Sequence, residues 1–108
     1  PVISLGEHTH GGSRRNLLGN EPSDELIAQY SSELRVNRKT PPAFLTHAVD
    51  DTVVRKINSE MYRDACLEHG VPVEYLELPT GGHGLNGYQG ASWDAWQRAS
   101  ILWIKGLW

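Results

Sequence analysis

Two short apolar runs, Ala43–Ala48 and Val73–Leu78, flank a stretch with helical periodicity, and this spacing constrains the fold more than any other feature. Ala43-Phe44-Leu45-Thr46-His47-Ala48 is mostly apolar rather than alternating, as expected of a strand covered on both faces. In the second run Val73, Tyr75 and Glu77 share one face and Glu74, Leu76 and Leu78 the other, which suits a strand toward a sheet edge. Between the runs, Val54, Ile57, Met61 and Ala65 fall on one stripe of a helix expected over 53–69. Gly70 is placed to end that helix in a left-handed conformation, and Pro72 blocks its continuation. Strands alternating with helices pair in parallel through right-handed crossovers. The fold class expected is therefore α/β.

The rest of the chain extends the pattern. A first strand is expected over 1–5, a loop over 6–22 and a helix over 23–36. Ser23 is placed to cap that helix, and Asp24 and Glu25 suit the positive end of its dipole. After the strands over 43–48 and 73–78 come a loop over 79–91 and a helix over 92–106. Trp93, Trp96, Ser100, Trp103 and Leu107 lie on one stripe of that last helix, a face to pack on a sheet. Each buried indole removes roughly 150–250 Å² from water. Ser92 is expected to be its N-cap. Pro1-Val2-Ile3-Ser4-Leu5 starts abruptly as an apolar run, so a cut or processed end is expected there.

Composition narrows the function. A chain of 108 residues holds one domain at most. Its net charge of −3 argues against a nucleic-acid partner, because phosphate binding needs an excess of Lys and Arg. No run of about 18 apolar residues exists, so no membrane partner is expected. The single cysteine, Cys66, sits between Ala65 and Leu67 in a helical pattern and reads as a small packing residue rather than a nucleophile. The five histidines lack a complementary ligand spacing, so no metal site is expected.

Chemistry gathers beyond the carboxyl ends of parallel strands. Asp50 and Asp51 follow the first apolar run, and Thr80-Gly81-Gly82-His83-Gly84 follows the second. A histidine can take and return a proton near neutral pH, and a carboxylate behind it fixes its tautomer and stabilises the imidazolium. Adjacent residues point in different directions, so only one of the two acids should reach His83. The other is left to cap the next helix or to serve the turn. His83 lies 32 positions after Asp51. An acid and then a histidine, each just past a strand, resemble the order in which an α/β-hydrolase presents two members of its triad after the serine; the other reading of His83 is a solvent-exposed turn histidine. No serine here sits in a matching turn. Gly90-Ala91-Ser92-Trp93-Asp94 lacks the second glycine of Gly-x-Ser-x-Gly and follows the histidine. His10-Gly11-Gly12 looks like an oxyanion loop but stands in the wrong place, so a pocket wall with Arg14 or Arg15 as contacts, or equally a structural turn with solvated arginines, suits it better.

His47-Ala48-Val49-Asp50-Asp51-Thr52-Val53-Val54 resembles the His-Gly-x-x-Asp-x-x-Val element of α/β-hydrolases, with Ala48 for the usual glycine and Arg55 for the usual proline. Together with Pro1–Gly6, Thr9-His10-Gly11-Gly12-Ser13-Arg14-Arg15-Asn16-Leu17-Leu18-Gly19, Pro41–Leu45 and Gly81–Gly84, it makes the chain resemble a carbohydrate esterase family. This is the acetyl xylan esterase-like and feruloyl esterase-like group of α/β-hydrolases, often labelled esterase/lipase. The resemblance implies the C-terminal half of an α/β-hydrolase fold, incomplete alone. It implies a serine carboxylesterase acting on small acyl esters or acetylated carbohydrate. In that reading Asp51 orients His83, and the nucleophile and oxyanion donors lie in an N-terminal portion; Arg14 is the candidate substrate contact from the loop over 6–22. No metal or organic cofactor is implied. The alternative is a non-catalytic flavodoxin-like or receiver-like binding module.

Overall fold

The computed structural model describes residues 1–107. Its centre is a parallel pair of strands, β1 (Ala43–Ala48) and β2 (Val73–Leu78), in register from Ala43 opposite Val73 to Ala48 opposite Leu78. The connecting helix, α3 (Ile57–Glu68), buries Asn58, Ser59 and Cys66. His69 is its C-cap, and Gly70 follows at φ 72°. A small core forms where α3 meets the returning chain: Val36, Cys66 and Val71 are buried, with Tyr62, Ala65 and Val73 packed against them. Two helices precede β1, α1 (Gly11–Leu18) and α2 (Asp24–Tyr30), and one follows β2, α4 (Ala91–Gly106). Phe44 and Trp103, with ring centroids 5.6 Å apart, pack α4 on β1. Trp93 and Trp96 pack against each other, with ring centroids 4.7 Å apart and planes tilted by 38°.

Residues 1–5 form no strand. Ile3, Ser4 and Leu5 are buried and extended, but their N–H groups bond to side chains: Ile3 and Ser4 to Asn58 Oδ1, and Leu5 to Ser31 Oγ. The expected loop over 6–22 contains α1. The ring of His10 caps it by accepting from the Ser13 N–H at 3.2 Å, and the glycines at its start hide it from a reading of propensity.

The expected helix over 23–36 stops at Tyr30. Ser23 does cap it, accepting from Leu26 N–H. Ser31 then donates its hydroxyl back to the Ile27 carbonyl at 2.7 Å, and only a short 3-10 turn, Ser32–Leu34, follows. The helix expected over 53–69 begins later, at Ile57. Asp51 Oδ1 accepts the N–H groups of Val53 and Val54, and His47 Nε2 takes the Val54 carbonyl, so those residues are committed to a turn. Among the described residues, no helix is long and apolar enough to cross a membrane.

Candidate active site

Asp51 sits three residues beyond the end of β1, and His83 five beyond the end of β2. Parallel pairing puts both strand ends at the same rim. There His83 Nδ1 lies 3.1 Å from Asp51 Oδ2. The Asp51 side chain is nearly closed off from solvent, whereas that of His83 is half exposed at 52%. Burial pushes the Asp51 carboxyl upward, but hydrogen bonds from Val54 N–H, His83 and Val53 N–H outweigh it and hold the group below the usual carboxylate range. Asp51 is thus ionised at neutral pH. A carboxylate only accepts, so Nδ1 of His83 donates, and in the neutral ring this leaves the lone pair on Nε2. Nε2 forms no hydrogen bond among the described residues.

Three side-chain hydrogen bonds fasten the loop that carries His83. Ser92 Oγ donates to the Thr80 carbonyl at 2.7 Å, Asp50 Oδ1 accepts the Gly82 N–H at 2.8 Å, and Asp51 takes the ring itself. Gly82 and Gly84 flank His83 at φ 57° and 90°, in the left-handed region where a Cβ is costly. The chain then enters a turn, Leu85–Tyr88, in which all four residues have positive φ, from 51° to 67°. Leu85 and Tyr88 hold that conformation at about 1–2 kcal/mol each.

His47 also reaches the acid. Its Nε2 is 2.7 Å from the Val54 carbonyl and 3.2 Å from Asp51 Oδ2, and its Nδ1 is 2.8 Å from Ser59 Oγ. The Val54 carbonyl only accepts, so Nε2 carries the proton and Nδ1 accepts from Ser59. Burial pushes the His47 ring below its ordinary value, consistent with a neutral imidazole.

The remaining sequence candidates are more scattered. Arg14 donates to the Leu5 carbonyl at 3.4 Å, which ties α1 to the extended segment below it. Ser92 is not an N-cap: Gly90 holds that position, and Ser92 lies inside α4 with its hydroxyl on Thr80. Sequence reasoning gave no part to Asn58. It is fully buried and bonds to Ile3 N–H, Ser4 N–H and the carbonyls of His8 and Arg55. Its polar character at a buried helical position, beside Ile57, was the one available signal.

No family model matches the chain. Over 85 residues it is 40% identical to endo-1,4-beta-xylanase B of Butyrivibrio fibrisolvens, covering 79% of this chain and 13% of that protein. The acetyl ester-xyloside bifunctional hydrolase of Caldicellulosiruptor lactoaceticus superposes with a TM-score of 0.94 at 39% identity, over 99% of this chain and 40% of that one. A carboxylesterase of Lactobacillus plantarum gives a TM-score of 0.77 at 25% identity, over 99% of this chain and 42% of that one. The chain spans less than half the length of each of these proteins. Its α/β architecture and its neighbours are those of ester and sugar hydrolases. The chain is similar to the C-terminal portion of a carbohydrate esterase-like α/β-hydrolase.

Proposed function

We propose that this chain carries the acid and the histidine of a serine carboxylesterase whose nucleophilic serine and oxyanion donors lie in a preceding portion of the enzyme. The observation that carries this reading is the 3.1 Å contact between His83 Nδ1 and an Asp51 carboxylate whose other oxygen is already saturated by two backbone N–H groups. Such a carboxylate cannot turn away from the ring. It fixes the tautomer that leaves Nε2 free to take a proton from a hydroxyl. His83 would deprotonate the serine as it attacks the ester carbonyl, and then protonate the departing alcohol. The imidazolium formed in between is stabilised by Asp51.

The substrate class proposed is a small acyl ester, an acetylated sugar or polysaccharide above all. The similarity to an acetyl ester-xyloside hydrolase supports it. Arg14 is proposed as a wall of the substrate pocket. The two-stranded sheet is too small for a flavodoxin-like module, which carries five parallel strands, so the binding-module alternative loses its main attraction. The test is complementation: the chain is combined with a preceding portion taken from a similar esterase, and p-nitrophenyl acetate hydrolysis is followed. Activity should need both portions and should be abolished by a serine-directed phosphonate. Hydrolysis by this chain alone at the combined rate contradicts the proposal.

A further inference from the structure

The two adjacent acids divide the work on the His83 loop. Asp51 grips the imidazole, and Asp50 grips the backbone one residue before it, with Oδ1 2.8 Å from Gly82 N across 32 positions of chain. We infer that Asp50 is a positioning residue that holds the Gly81–Gly84 loop so that His83 stays over Asp51.

The need for such a grip follows from the loop itself. Its glycines sit at φ 124°, 57° and 90° for Gly81, Gly82 and Gly84; the Asn86 N–H bonds to the Gly81 carbonyl at 2.6 Å and the Tyr88 N–H to the Gly84 carbonyl at 3.4 Å, but neither bond is made to Gly82 or His83. His83 is exposed and forms a single hydrogen bond, so ring and loop would otherwise swing together. Ser92 fastens the loop at Thr80, upstream of the flexible part. The Gly82 N–H is therefore the last fixed point before the histidine. An ångström of drift at a proton-transfer group costs rate without touching substrate affinity.

This inference rests on the esterase reading for its kinetic consequence but not for its structural one, and the experiment separates the two. The chain joined to a preceding portion taken from a similar esterase is prepared with Asp50→Ala, Asp50→Asn and His83→Ala. Gly82 amide exchange and p-nitrophenyl acetate kinetics are measured on each. Asp50→Ala should raise Gly82 exchange about tenfold, the scale of losing a bond to a charged acceptor. It should lower kcat about tenfold with KM within about twofold. Asn keeps an acceptor oxygen at the same place, so Asp50→Asn should recover most of both losses. Unchanged Gly82 exchange in Asp50→Ala overturns the inference, as does an Asn variant no better than the Ala variant. If His83→Ala retains full activity, the esterase reading fails, and the exchange data still decide what Asp50 does.

Discussion

The Nε2 of His47 lies 3.2 Å from Asp51 Oδ2, the same carboxylate oxygen that receives His83. The acid is therefore enclosed by two imidazoles of different character. His47 is buried and held at both nitrogens; His83 is open to solvent and held at one. Among the described residues, only the second has a ring nitrogen without a hydrogen bond.

The first prediction concerns Asp51 and acid. Its folded value lies below the ordinary one, so the folded state binds the proton less readily than the unfolded state. The stability it contributes is present above the ordinary carboxylate range, about pH 4, and is lost as pH falls through the lower folded value. Asp51→Asn should cost about 1–3 kcal/mol at pH 7. It should also flatten the acid side of the stability curve. Urea unfolding at pH 7 and pH 3 checks both.

His47 acts in a higher pH window. Burial lowers its folded value, so the unfolded chain takes up a proton that the folded chain refuses. Its stabilising effect is complete above the ordinary histidine value, about 6.5, and falls away as pH drops below it. Glutamine can donate to the Val54 carbonyl and accept from Ser59. His47→Gln should therefore remove the stability loss between about pH 6.5 and pH 5, while His47→Phe should destabilise at every pH. Thermal melts across that range separate the two.

Asn58 makes the strongest structural prediction. Its Oδ1 serves two buried N–H groups, those of Ile3 and Ser4. Asn58→Ala leaves both without a partner, at about 1–3 kcal/mol for each unsatisfied group. The unfolding midpoint should drop accordingly, and exchange of the Ile3 and Ser4 amides should rise before that of β1.

Cys66 should be chemically silent. It is fully buried, and burial pushes its thiol above the ordinary value, so little thiolate exists. A thiol reagent at pH 8 should leave it untouched in the folded chain and modify it fully in urea.

Much of this was legible in the sequence where a pattern had a single physical reading. The apolar runs at β1 and β2 with Gly70 and Pro72 between them left few folds open. Strand-end position narrows the acid to Asp50 or Asp51 opposite His83, and the resemblance of His47–Val54 to the hydrolase element selects Asp51; the structure places Asp51 Oδ2 3.1 Å from His83 Nδ1. Side-chain fastenings were illegible, because they depend on residues far apart in the chain. Asn58 reaches back 55 residues to Ile3, and Ser92 reaches 12 to Thr80. Residues 1–5 carried a strand pattern, but an apolar extended segment becomes a strand only beside a partner strand, and here side chains take the ladder's place. The start of α3 moved for a similar reason: Asp51 spent one oxygen on Val53 and Val54 and closed a turn where periodicity had placed a helix.

The proposed chemistry requires Asp51 to act through His83. The most direct measurement is a double-mutant cycle of Asp51→Ala and His83→Ala on ester hydrolysis by the chain joined to a preceding portion taken from a similar esterase. Each single variant should lose about 10³-fold or more in kcat, and the double variant should be little worse than His83→Ala alone, because members of a triad fail as a unit. Losses that multiply, or single variants that stay within a few fold of the parent, contradict it.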